Sequence, residues 1–262
     1  MLDALSPPRR RVVFAAAGLV VLVVLVGIGA VVVRSVTGSP AAVPQDQPGP
    51  VLLVPGYGGN VDSLRPLVAA LRSAGRTAVV VEPVGDGTGD LQAQAERLDE
   101  VAERIREEAG AASVDVVGYS AGGVVARLWV RDHGGAAVAR RVLTLGSPQH
   151  GTEQAALGRD LAGGCPVACE QLAPDSDLLR RLNAGDETPD GPRWATVRSR
   201  SDRVVTPTES AALAGAVNVA VQDVCPGAVT AHGDLPGDPV VLAALETVLG
   251  GAEPRAPTAV RC

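Results

Sequence analysis

Ser120 lies in Gly118-Tyr119-Ser120-Ala121-Gly122, with a glycine two positions to either side. Small flanking residues let the chain turn sharply and leave a hydroxyl exposed, as a nucleophile requires. A serine opening a helix can equally be an ordinary cap, so its company decides. A nucleophilic hydroxyl needs a base to take its proton and an acid to orient that base. The chain has three histidines, His133, His150 and His232. His232, in TAHGDLPGDP, is the one that follows every plausible acid. His133 ends the helix predicted to start after Ser120, roughly 18 Å away at about 1.5 Å per residue. His150, in GSPQHGT, reads as a rim residue that structures its loop or faces substrate. Asp202, in SRSDRVVTP, follows a predicted strand and is placed to accept the imidazole N–H. Asp175, Asp177, Asp186 and Asp190 follow no strand and read as solvated turn residues; Asp223 is the reserve acid.

Charge developing on a substrate oxygen would need two backbone N–H donors. Ala121, next after the serine, offers one. Tyr57 offers the other, in VPGYGGN, where Gly56, Gly58 and Gly59 let the backbone approach a ligand. A Gly-rich loop can cradle phosphate, but neither G-x-x-x-x-G-K nor G-x-G-x-x-G is present. Gly56, Tyr119 and His150 are the candidate substrate contacts.

These residues need a scaffold. Short apolar runs predict strands over 51–54, 78–81, 114–117, 141–145, 194–198 and 216–221. Helices are expected over 62–73, 90–109, 121–132, 206–214 and 238–249. Leu91, Ala95, Leu98, Val101 and Ile105 form the apolar stripe of the second. Residues 150–192 are rich in Gly, Pro and Asp, and read as an irregular lid or rim without a strongly amphipathic helix. Alternating strands and helices imply an α/β domain over 51–250: a mostly parallel six-stranded sheet with helices on both faces. Sites in such sheets form beyond the carboxyl ends of the strands, where Tyr57, Ser120, His150, Asp202 and His232 fall.

Composition narrows the partners. The chain has 262 residues, 46% hydrophobic and 2% aromatic, so its core is built from Val, Leu and Ala. A formal charge of −6, with no basic run beyond the N-terminus, argues against nucleic acid. Arg9, Arg10 and Arg11 close a basic segment over 1–11, expected to stay cytoplasmic. Residues 12–33 carry no charge and are long enough to cross a bilayer as a signal-anchor helix. A Pro-, Gly- and Ala-rich tether over 34–50 would then lead to a domain outside the cell. Secretion after cleavage near Ser39-Pro40-Ala41 is the alternative. Cys165, Cys169, Cys225 and Cys262 all follow that segment, and an even count in an exported chain suggests disulfides. Three pairings are possible, of which Cys165 with Cys169 is the local one, leaving Cys225 to tie down Cys262 in the Pro-rich tail over 251–262. No His lies at ligand spacing from either pair, so no metal site is expected.

On VLLVPGYGG, VVGYSAGG, VLTLGSPQHGT, SDRVVTP and AHGDLP the chain resembles the α/β-hydrolase superfamily, and within it the small bacterial lipases of the triacylglycerol lipase class 2 group. The resemblance spans about residues 50–249. It implies a Ser120–Asp202–His232 triad with Tyr57 and Ala121 as oxyanion donors, acting on carboxylic esters or lipids without a cofactor, as a monomer. A lipid acyltransferase or a thioesterase would share this triad, and a degraded hydrolase kept as an envelope-binding module would share the fold. Members of the lipase group usually carry His-Gly after the first strand; this chain has Pro55-Gly56. Proline also occurs there in phospholipid:sterol acyltransferase-like enzymes, and Pro55 leaves the Tyr57 N–H intact.

Overall fold

A computed structural model describes residues 43–161 and 163–262. The basic segment 1–11, the expected span 12–33 and the tether as far as 42 lie outside the described residues. Among the described residues no helix is long and apolar enough to cross a membrane.

Six strands form one sheet: β1 (Val51–Val54), β2 (Ala78–Val80), β3 (Val114–Tyr119), β4 (Ala139–Leu145), β5 (Arg193–Arg198) and β6 (Val217–Ala220). The order is β2-β1-β3-β4-β5-β6. Every neighbouring pair is parallel, so the sheet is wholly rather than mostly parallel. Side chains alternate across a strand, and both faces are apolar. Val51 and Leu53 join one core with Leu143, Leu145 and Val197; Leu52 and Val54 join the other with Val114, Val116 and Val142. Helices α1 (Arg65–Ser73) and α8 (Pro239–Leu249, after the short α7 at Val221–Val224) cover the first face through Leu67, Leu71, Val241 and Leu245. Helices α2 (Leu91–Glu108) and α3 (Ala121–Asp132) cover the second through Leu91, Leu98, Val124 and Trp129. Each such buried side chain contributes about 1.5–3 kcal/mol.

Three expectations need correction. Residues 150–192 are not irregular: they hold α4 (Glu153–Asp160), α5 (Val167–Gln171) and α6 (Asp177–Leu182). None exceeds 8 residues, too short for a periodic signal. Thr152 and Ser176 cap two of them, accepting from Gln154 and Leu179 amides. Arg127 of α3, fully buried, fastens the insertion down by donating to Asn183 Oδ1 at 2.8 Å and to the Leu182 and Glu187 carbonyls at 3.3 Å. Burial lowers its guanidinium to about 10. The helix expected over 206–214 is only a 3-10 turn at Thr208–Ala211. The Asn218 side chain accepts from Leu213 N and donates to Leu213 O and Ala216 O, which holds this stretch as a loop. The helix expected over 62–73 begins as a 3-10 turn at Val61–Leu64, with the α-helix starting beside Pro66.

The end of the sheet away from the strands' carboxyl ends carries a buried ion cluster. Asp115 on β3 accepts from Arg140 Nε at 2.9 Å and Nη2 at 2.6 Å, and from Arg76 Nη2 at 2.6 Å. The two arginines also donate to the Gln45, Gly49, Leu249 and Gly250 carbonyls, joining the start of the domain to the end of α8.

Disulfides join Cys165 to Cys169 and Cys225 to Cys262. The second closes a loop with a sequence separation of 37, pinning the tail beside β6. The paired variant Cys225→Ser/Cys262→Ser is expected to lose roughly 2–4 kcal/mol by this loop closure. Denaturant unfolding measures it; an unchanged midpoint would show that the tail is held by packing alone.

Candidate active site

Ser120 closes β3 and opens α3. Its φ is 53° and ψ −125°, and it is the one non-glycine residue with positive φ among those described. A left-handed φ at a side-chain-bearing residue costs energy and recurs where geometry is put to use. The flanking glycines make the turn possible. A Cβ on Gly118 would stand 2.6 Å from the Gly123 backbone, and one on Gly122 would stand 2.3 Å from the Val54 carbonyl. The Ser120 amide donates to Leu145 O at 2.8 Å, tying the turn to β4.

His232 follows β6, in a 3-10 turn at His232–Gly237. Ser120 Oγ donates to its Nε2 at 3.0 Å. Its Nδ1–H donates to Asp202 Oδ2 at 2.7 Å. Asp202 is buried in the turn after β5, and its Oδ1 accepts from Val204 N at 2.8 Å and Val205 N at 3.0 Å. One carboxylate oxygen is thus fixed by backbone amides and the other left for the imidazole. The structure brings Ser120, His232 and Asp202 into one hydrogen-bonded line. The reserve acid is elsewhere: Asp223 pairs with Arg200 at 2.5 Å, exposed.

After β1 the chain turns, Gly59 N donating to Gly56 O at 3.0 Å and Gly58 N to Gly87 O at 3.2 Å. The Tyr57 and Ala121 amides find no backbone acceptor among the described residues. Gly56 faces the serine; a Cβ there would meet Ser120 Cβ at 3.0 Å and Oγ at 3.5 Å. The loop after β1 and the start of α3 thus offer two N–H groups beside Ser120. Among the described residues no cluster of three or more His, Cys, Asp or Glu could hold a metal ion.

Two of the candidate substrate contacts have partners within the protein. Tyr119 is buried, with its ring against that of His232 at a centroid distance of 5.3 Å. Its hydroxyl donates to the His232 carbonyl at 3.1 Å. Tyr119 shares the buried face of β3 with Val117 and supports the histidine from there. Burial, then the charges of Asp202 and Asp234, push its hydroxyl up to about 12, so it stays a donor at neutral pH. Tyr119→Phe is expected to cost about 1 kcal/mol and to leave the His232 turn less fixed. Thermal unfolding and kcat measure this; a variant matching the parent in both would remove the supporting role. His150 is likewise occupied: Nε2 lies 2.7 Å from Glu187 Oε1 and Nδ1 3.2 Å from Ser210 O. It structures its loop. Burial raises the Glu187 carboxyl, but the His150 ring and the Ala214 amide outweigh it and hold it below the ordinary range. His133 ends α3 and meets Gln92 Oε1 at 2.8 Å, away from Ser120.

Gly146 was not singled out by sequence. Its φ is +51°, and a Cβ there would lie 3.3 Å from both Asp202 Oδ2 and His232 Cε1, and 2.5 Å from Leu235 Cδ1. Only a glycine after β4 leaves room for the Asp–His pair. The available signal was its place in LTLGSP, directly beyond a strand.

The fold that carries this arrangement is the α/β-hydrolase fold. Residues 49–161 match the alpha/beta hydrolase fold family. Among solved structures, the chain is similar to Aspergillus fumigatus lipase B over 83% of its own length, at 21% identity and a TM-score of 0.71. It spans 56% of that lipase. It is also similar to the mature form of the Bacillus licheniformis lipase BlEst2, covering 76% of this chain and 91% of that one, at 18% identity and TM-score 0.60. An Exiguobacterium antarcticum esterase is similar over 71% of this chain and 85% of its own, at 13% identity and TM-score 0.50. No curated protein matches the sequence.

Proposed function

We propose that this chain is a serine hydrolase of carboxylic esters, a lipase or esterase with Ser120 as nucleophile, His232 as base and Asp202 as the residue orienting it. The observation that carries the reading is the unbroken line from Ser120 Oγ through His232 to Asp202, at 3.0 and 2.7 Å. In the first half-reaction Ser120 Oγ bonds to the ester carbonyl carbon as its proton passes to His232 Nε2. The oxyanion is held by the Tyr57 and Ala121 amides. The C–O bond to the alcohol breaks, and the alcohol leaves with the proton from His232. Water then attacks the acyl-enzyme, giving a proton to His232; the acid departs and Ser120 regains its hydrogen. The lipases and esterase of the same fold favour an ester over other acyl substrates.

Two further observations favour a place outside the cytoplasm. The uncharged run 12–33 behind Arg9–Arg11 suits an anchor with the domain outside, and two disulfides suit an oxidising compartment. Retention of the full chain in membranes after a high-salt wash tests the anchor.

The test of the activity is labelling with a fluorophosphonate probe, followed by mapping of the adduct, together with turnover of short nitrophenyl esters. An adduct on Ser120 is expected. Absence of both labelling and turnover in the folded protein would overturn the reading.

A further inference from the structure

Resting on the esterase reading, we infer that Gln222 is a positioning residue for the Asp202–His232 pair: its side-chain amide joins the turn that carries the acid to the loop that carries the base.

The pair needs such a join. Asp202 follows β5 and His232 follows β6, and the two meet at 2.7 Å. The pairing of β5 with β6 ends at Arg198–Ala220, before either residue is reached. Beyond it, among the described residues, no backbone hydrogen bond links residues 199–205 to 225–238.

Gln222 lies just past that last pair, in α7, and is half-buried. Its Oε1 accepts from Arg200 N at 2.9 Å, and its Nε2 donates to Ser199 Oγ and to Ala228 O, both at 3.1 Å. Arg200 N can only donate and Ala228 O can only accept, so one orientation of the amide suits both. The side chain acts as a further rung of the ladder, and it reaches on to the loop that leads to His232.

The groups it holds are close to the pair. Ser199 shapes the acid turn: its carbonyl accepts from Asp202 N at 3.2 Å and its hydroxyl oxygen from Ser201 N at 3.1 Å. Ser199 is fully buried, so no water replaces a lost partner at its Oγ without cost. On the base side, Ala228 N donates to Cys225 O at 2.9 Å, and Thr230 Oγ1 donates to Asp238 Oδ2 at 2.6 Å. Those two bonds refer the loop to the end of α7 and to the start of α8. The bond from Gln222 to Ala228 refers it to the acid turn. The Arg200–Asp223 ion pair also joins α7 to that turn, but with side chains 48% and 55% exposed it adds at most about 1 kcal/mol.

The experiment compares the parent with Gln222→Met and Gln222→Glu. Methionine keeps the length of the side chain and removes all three bonds. Glutamate keeps the acceptor for Arg200 N and removes the donor to Ala228 O. Misplacing a catalytic group by about 1 Å costs roughly 100-fold. Each folded variant is therefore expected to lower kcat on short nitrophenyl esters roughly 10–100-fold, with kcat/KM falling by the same factor. The second readout is the proton resonance of His232 Nδ1–H, recognised as the far-downfield signal that Asp202→Asn abolishes. It is expected to broaden or move upfield in both variants, which a loss of stability elsewhere would not cause. Gln171→Met is the matched comparison. It removes two side-chain bonds between α5 and the start of α2, at 2.7 and 2.8 Å, and is expected to keep the parent's kcat and signal. A folded Gln222 variant with the parent's kcat, or with the downfield signal unmoved, would overturn the inference. An equal loss in Gln171→Met would overturn it too. Two variants guard against one failing to fold. Any of these results with Ser120 of the parent still labelled by the fluorophosphonate leaves the esterase reading standing. Loss of labelling and of all turnover in the parent removes both.

Discussion

Ser120→Ala is expected to lower turnover of a short nitrophenyl ester on the order of 10⁶-fold, and Asp202→Asn about 10⁴-fold. Alanine removes the only atom that can bond to the carbonyl carbon. Asparagine keeps the shape of Asp202 but not its charge, so the imidazole loses the partner at 2.7 Å that fixes its tautomer and stabilises its protonated form. The two backbone donors to Oδ1, from Val204 and Val205, would still find an acceptor in the amide oxygen, so the turn should keep its fold. Asp223→Asn is the matched comparison: it removes a carboxylate near β6 whose partner is the exposed Arg200. Its kcat is expected to stay with the parent's. Single-turnover and steady-state rates on the three variants check the assignment. Equal losses for Asp202→Asn and Asp223→Asn would mean that general acidity of the region, and not the line through His232, matters.

Asp115→Ala is expected to cost roughly 3–5 kcal/mol, because it strands the buried Arg140 guanidinium, and the partly buried one of Arg76, without a counter-charge. Asp115 and Arg140 are fully buried, so neither charge recovers water when its partner goes. In a domain of this size the loss lowers the melting temperature by roughly 6–20 °C. The comparison is Asp62→Ala, which breaks an ion pair of similar length, 2.9 Å, with side chains 77% and 67% exposed. That variant is expected to stay within about 1 kcal/mol of the parent. Thermal scans of both decide the matter; equal shifts would show that charge pairing rather than burial sets the cost.

What was legible in the sequence was what local residue types determine. The glycines about Ser120 announced the turn, and the chain order of serine, acid and histidine located Asp202 and His232. Short apolar runs marked all six strands because both faces of a parallel sheet are buried. What was hidden depends on register. Asp115 and Arg140 meet because β4 carries one residue more than β3 between the pairs Val114–Ala139 and Asp115–Arg141. No local pattern signals such an irregularity. Tyr119 was read as a substrate contact from its place beside Ser120, whereas as the last residue of β3 it shares the buried face of Val117. The helices of the 150–192 insertion escaped because each is too short to repeat its apolar face, and is held by distant partners such as Arg127.

The mounting of Ser120 has almost no slack. Gly122 rests on the Val54 carbonyl, and a Cβ on Gly123 would strike Ser147 Oγ at 2.1 Å. The helix behind the serine is therefore packed with no room for a side chain between it and the end of β1 on one side or Ser147, just beyond β4, on the other. In evolutionary terms the floor of this site is closed to variation, since the smallest added side chain is already too large. New substrates have to be accommodated by the loops after β1 and β2 and by the 150–192 insertion, which can change length and composition while the serine stays where it is.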